Sequence, residues 1–190
     1  MLVLASSSPY RRALLERLRL PYLAVSPDLD ERPLAGEAPR ATALRLAEAK
    51  ASAVAAVRTD ALVIGSDQVA TLDGQAIGKP GHHAAALAQL LSMSGRTVLF
   101  HTAVCLVDAR SRRARVDEVP TVVEFRHFSE AEAGRYLLAD TPYDCAGSAK
   151  IESLGIALVE RVQSNDPTAL IGLPLIALAS MLRQEGIAVP

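Results

Sequence analysis

Apolar residues run unbroken over Leu2–Ala5 and then give way to three serines and a proline, Ser6–Pro9. Comparable apolar or alternating runs recur, and together they predict strands at 2–5, 22–26, 61–66, 96–108, 114–127 and 156–161. Helix-spaced segments lie between them, including "ATALRLAEAKASAVAAV" at 41–57. Ser8 followed by Pro9 reads as an N-cap and first helical residue, and "SEAE", Ser129–Glu132, as a capping box. "LDGQ" around Asp73 and Gly74 is a hairpin turn signal, so the chain after Asp67 is expected to double back. The two long neighbouring strands joined near Arg110–Arg113 favour an antiparallel pair within a mixed sheet. The class is therefore α/β. The longest loop is "SPDLDERPLAGEAPR", Ser26–Arg40, where Pro27, Pro33, Pro39 and Gly36 deny regular structure; loops of that length in compact domains are often functional.

Length and charge narrow the possibilities. At 190 residues the chain is expected to form one domain over 1–190. Twenty Lys and Arg stand against 21 Asp and Glu, a net charge of -1, which argues against a nucleic-acid or anionic-membrane partner; phosphate binding must be local. Cys105 and Cys145 form no C-x-x-C pair and no disulfide framework, as expected of a reducing compartment. No signal peptide is legible. The apolar stretch "ALIGLPLIALASML" is broken by Gly172 and Pro174 and is shorter than the roughly 20 residues a bilayer requires. A soluble, cytoplasmic protein is expected.

The candidate chemistry begins at the first strand-to-helix junction. Backbone N–H groups, serine hydroxyls and the positive end of a helix dipole suit phosphate oxygens there, and Arg11 and Arg12 add bidentate donors. Plain helix capping with two solvated arginines is the alternative. Asp67 follows the apolar strand in "VIGSDQV" and should sit at a strand's C-terminal end, where α/β sheets place ligand crevices; an Asp capping a turn is the other reading. Asp30 and Glu31, in the long loop, are the other carboxylates able to reach such a site. Lys79 is confined by Gly78 and Pro80 in "IGKP". Lys50 borders the apolar face of its helix, either aimed inward at phosphate or snorkelling its ammonium to water. The histidines at 82, 83, 101 and 127 show no zinc spacing; His82 and His83 are expected to be exposed at a helix start and the other two to lie on strands. Walker-type loops and serine-hydrolase elbows are absent from the sequence.

Taken in order, "LASSSPYRR", "DLDE", "RLAEAKA", "IGSDQV", "IGKP", "CAGSAKIE" and "IGLPL" resemble the Maf family of nucleotide pyrophosphatases over essentially the entire chain. "SPYRRALLERL", "GSDQV" and "CAGSAKIE" resemble more narrowly the branch acting on 7-methyl-GTP rather than that acting on dTTP and UTP. The resemblance implies a mixed α/β sheet with flanking helices and a cleft between two lobes, related to inosine triphosphate pyrophosphatases, and a homodimer. It implies hydrolysis of a nucleoside triphosphate to monophosphate and pyrophosphate with a divalent metal, Mg²⁺ or Mn²⁺. By motif, Asp67 would be the proton acceptor and Glu31 its metal-binding companion, with Ser8, Arg11, Lys50 and Lys79 contacting phosphate; Arg12 is a further substrate-binding candidate.

Base selection falls to three residues. A carboxylate such as Glu152 accepts the paired N1–H and N2 amino donors of guanine and would repel a pyrimidine carbonyl. Tyr10, where the branch often carries tryptophan, would offer a ring face to a base made cationic by N7-methylation. Gln68 would add a polar contact to the nucleoside. The competing readings are dTTP or UTP hydrolysis by the same chemistry, and a non-catalytic nucleotide-binding regulator of cell division.

Overall fold

The computed structural model describes residues 1–189. Seven strands, β1 (Leu2–Ala5), β2 (Leu23–Val25), β3 (Leu62–Leu72), β4 (Gln75–Ile77), β5 (Thr97–Asp108), β6 (Arg113–Phe125) and β7 (Val159–Ser164), form one mixed sheet. Its order is β2-β1-β3-β5-β6-β7, with β4 paired to β3. Five α-helices accompany it: α1 (Pro9–Glu16), α2 (Pro39–Ala55), α3 (His83–Met93), α4 (Glu130–Asp140) and α5 (Leu175–Gln184). The chain divides into two compact units, and β3, β5 and β6 each contribute residues to both. The first unit takes Met1–Gln68, Thr102–Val119 and the chain from Asp166 on; the second takes Val69–His101 and Pro120–Asn165.

In the first unit β1 pairs in parallel with β2 on one side and β3 on the other. All four residues of β1 are buried, as a strand covered on both faces requires. Leu2 and Leu4 join Leu14 and Leu15 of α1 and Leu178 and Leu182 of α5 in one apolar layer. Ala43, Leu46, Ala47, Ala51 and Val54 of α2 are buried as well, at the spacing of a single helical face. The second unit contains the β3–β4 hairpin, turned by Asp73 and Gly74 at φ 50° and 77°, the left-handed pair a two-residue turn needs. There α3 packs on α4 and β6 pairs antiparallel with β7. The Ser129–Glu132 capping box starts α4 as expected, the Ser129 amide donating to Glu132 Oε2 at 2.8 Å.

Four expectations are corrected. β3 runs on to Leu72 instead of ending at residue 66, because the small and polar residues after Ile64 keep strand hydrogen bonding where the apolar run stops. The last strand spans 159–164 and not 156–161: Leu154–Leu158 form a tight turn in which Gly155 lies so close to the Lys150 backbone that a side chain could not fit. His127 falls beyond β6, its ring lying over Gly95, and His83 is half-buried with Nδ1 3.0 Å from the Tyr143 hydroxyl. Among the described residues no helix is long and apolar enough to cross a membrane, and neither Cys105 nor Cys145 is in a disulfide.

Candidate active site

The junction after β1 is a capped helix start. Ser8 Oγ accepts the Arg11 amide at 3.4 Å while the Ser8 amide donates to Ser6 Oγ at 3.1 Å, and Pro9 opens the helix. The Arg11 side chain turns inward, Nε donating to the Gly172 carbonyl at 2.8 Å. Burial lowers the Arg11 pKa from its usual value, and the carboxylates of Asp67 and Glu31 oppose that shift. Gly172 is fixed in turn. Its φ of 118° closes the turn at 169–171, and Asp166 grips the chain on either side, with Oδ2 accepting the Ile176 amide at 2.7 Å and Oδ1 the Thr168 amide at 2.9 Å. Asp166 and Thr168 thereby satisfy first-turn donors of α5, which begins after Pro174 with no side-chain cap of its own.

β3 sorts its residues by alternation. Ser66 Oγ lies 2.7 Å from the Ala103 carbonyl and 2.9 Å from that of Gly172, sharing one proton between them. Gln68 Nε2 sits 2.9 Å from Thr102 Oγ1 and 3.0 Å from the Leu170 carbonyl. Asp67 points the other way, toward α2. A Cβ at Gly65 would overlap the Ala47 carbonyl and lie 2.7 Å from the Ala51 nitrogen, so the missing side chain allows α2 to press against β3. Lys50 follows Ala47 by three residues, almost one helical turn. Its Nζ donates to Asp67 Oδ1 at 2.7 Å and to Glu31 Oε2 at 2.8 Å.

The Lys50 and Asp67 side chains are only 5% and 10% exposed, against 56% for Glu31. That decides between the two readings of Lys50: the ammonium is buried between two carboxylates and does not snorkel to water. Asp30 takes another task, binding the Arg32 side chain through both oxygens. The structure thus gathers Arg11, Glu31, Lys50 and Asp67, two cations and two anions, in the first unit.

The other candidates stand as follows. Tyr10 is half-buried on α1 and Arg12 is exposed there, its carbonyl accepting the Tyr22 hydroxyl at 3.4 Å. Gln68 faces away from Asp67, its amide nitrogen held by the neighbouring carbonyls. Lys79 and Glu152 belong to the second unit. Lys79 is exposed on a segment fixed on both sides: the Gly78 carbonyl accepts from Gln89 and the Gly81 amide donates to the Tyr143 carbonyl. Partial desolvation raises the Glu152 carboxyl above its usual range; Lys150 opposes the shift and Asp140 and Asp144 add to it. Its neighbour Ser153 donates to Asp140 Oδ1 at 2.7 Å, tying this stretch to the end of α4.

The donor set can be tested for a metal. Among the described residues no group of three or more His, Cys, Asp or Glu side chains could hold one unaided. Glu31 and Asp67 nevertheless converge on one cation, the Lys50 ammonium. Two hard carboxylates fit Mg²⁺ or Mn²⁺, which keep several waters and take further ligands from substrate phosphates.

Comparison with known proteins adds one finding to this geometry. The model of the family described as Maf-like protein matches residues 1–185. The chain belongs to the Maf family. A relative from Cupriavidus metallidurans named 7-methyl-GTP pyrophosphatase is 64% identical over 185 residues, 97% of this chain and 93% of that protein. Another of that name, from Burkholderia orbicola, is 66% identical over 186 residues, 96% of this chain and 88% of the other. Among solved structures, the Staphylococcus aureus Ham1 protein matches 65% of this chain and 71% of its own at a TM-score of 0.46 and 17% identity.

Sequence reasoning passed over Gly65, Ser66 and Gly172 in this Maf chain. Gly65 and Ser66 could have been found as small residues ahead of a buried Asp. Gly172 contributes a main-chain carbonyl, which leaves no side-chain signature. Replacing Gly65 with Ala should force α2 away from β3 and cost about 1–3 kcal/mol of stability, read as a lower urea unfolding midpoint; an unchanged midpoint would contradict the close approach.

Proposed function

We propose that this Maf-family chain hydrolyses 7-methyl-GTP to 7-methyl-GMP and pyrophosphate. One observation carries the reading: a buried lysine bridges an acid on β3 and an acid from the long loop, with a half-buried arginine beside them. A triphosphate needs such a group, because attack at the α-phosphorus builds negative charge on the equatorial oxygens and on departing pyrophosphate. Relatives 64% and 66% identical that carry the name 7-methyl-GTP pyrophosphatase support the choice of substrate.

The roles follow from the chemistry. Asp67 orients the attacking water and accepts its proton as oxygen bonds to the α-phosphorus and the bond to the bridging oxygen breaks. Lys50 fixes the direction of the Asp67 side chain. Arg11, whose orientation is set by Gly172, and the Ser8 helix start bind phosphate oxygens. Lys79 adds a further cation to the phosphate-binding set, and Arg12 steers the substrate from the exposed side of α1. Glu31 and Asp67 would hold Mg²⁺ or Mn²⁺, which when bound neutralises phosphate charge. Glu152 selects guanine through N1–H and the N2 amino group, Tyr10 offers its ring to the cationic base, and Gln68 supports the nucleoside through its strand position.

Two substitutions test these roles. Asp67→Asn should lower turnover by roughly 10²- to 10⁴-fold with the melting transition retained; undiminished turnover would remove Asp67 from proton transfer. Glu152→Gln should narrow the preference for 7-methyl-GTP over dTTP and UTP in steady-state kinetics across a triphosphate panel. If the unsubstituted protein itself prefers the pyrimidines, the assignment of Glu152 fails.

A further inference from the structure

Glu31 reaches Lys50 from a chain with no regular structure. Thirteen residues, 26–38, separate β2 from α2 without a helix or strand, and the Glu31 side chain is more exposed than covered. A carboxylate on such a loop would sample many positions, and ordering the loop costs conformational entropy at every residue. The Lys50–Glu31 contact alone offers too little to hold it, since an ion pair with one half-exposed partner contributes little against that entropy.

The structure contains a second anchor. Arg45, five residues before Lys50 on α2, grips Glu37 with both ends of its guanidinium: Nε meets Oε1 at 2.6 Å and Nη2 meets Oε2 at 2.7 Å. The same Nη2 lies 3.2 Å from the Arg32 carbonyl, the residue after Glu31. Glu37 Oε2 also accepts the Leu34 amide at 3.1 Å and the Thr42 hydroxyl at 2.9 Å. The turn is closed by the Glu37 amide donating to the Leu34 carbonyl, with Gly36 at φ 71°. The Glu37 side chain is 10% exposed, and hydrogen bonding from Arg45 pulls its pKa down to about 2. Bidentate pairing of this kind fixes geometry as well as charge.

We infer that Arg45 and Glu37 are positioning residues for Glu31: they clamp the loop to α2 so that the carboxylate meets Lys50 and the site it shares with Asp67. Neither acts on the substrate. Both arms of the clamp are held by α2, so Lys50 and the loop that carries its partner share one rigid reference. This inference rests on the reading of Glu31 as a metal-binding carboxylate, and its test separates the two.

Arg45→Met and Glu37→Gln, the second a nearly isosteric change that guards against outright misfolding, are compared with the unsubstituted chain in two ways. Amide hydrogen exchange of the metal-free protein should quicken across residues 27–37 while residues 46–55 of α2 keep their protection. The Mn²⁺ concentration for half-maximal 7-methyl-GTP turnover should rise ~10-fold or more, with kcat at saturating Mn²⁺ largely kept. Arg45→Lys, which retains charge and loses the fork, should fall between. In a Glu31→Gln background Arg45→Met should add nothing to the Mn²⁺ requirement, since the two act through one group. Unchanged loop exchange in both variants overturns the inference, as does an equal Arg45→Met effect with Glu31 replaced. If Glu31→Gln alone leaves the Mn²⁺ requirement where it was, the metal-ligand reading is what fails.

Discussion

The buried ammonium of Lys50 is the constraint on which the first unit is organised. An unpaired ammonium at 5% exposure would cost several kcal/mol, so the chain must deliver acids to it, and it delivers Asp67 from β3 and Glu31 from the loop. Each delivery makes a demand elsewhere. Asp67 comes within 2.7 Å because Gly65, two residues earlier on the same face of β3, has no side chain to keep α2 away. Glu31 arrives because the loop before α2 is tied down at residues 32, 34 and 37.

The second cation is built by a different route. Arg11 depends on one main-chain carbonyl, and the placement of Gly172 depends on the turn that Asp166 and Thr168 lock onto the start of α5. A helix that lacks a cap of its own thus becomes part of the site's scaffold. Ser66 draws the same carbonyl toward β3, linking the two routes at Gly172. The combination sets two cations beside two carboxylates, the kind of group that the proposed cleavage at an α-phosphorus would use.

Much of this was legible in the residues. Ser8–Pro9, Ser129–Glu132 and Asp73–Gly74 each encode a local hydrogen-bonding solution, and each forms the expected cap or turn. The apolar runs placed most strands because burial on a sheet leaves a pattern in sequence. β3 was cut short for the opposite reason: the stretch that carries Asp67, Gly65–Gln68, is small and polar, and reads as the end of a strand when only apolar residues are counted. Lys50 was ambiguous because a lysine at the edge of an apolar stripe looks the same whether its tip meets water or carboxylate. Gly172 and the Arg45–Glu37 clamp were missed because a carbonyl acceptor and a contact across eight residues depend on tertiary geometry, which no local spacing records.

In the proposed mechanism a water that Asp67 orients attacks the α-phosphorus, and isotope placement reads that step directly. Turnover of 7-methyl-GTP in oxygen-18 water, followed by phosphorus NMR or mass spectrometry, should put the heavy oxygen in 7-methyl-GMP and leave pyrophosphate unlabelled. Label in pyrophosphate, or release of orthophosphate with a nucleoside diphosphate, would contradict it.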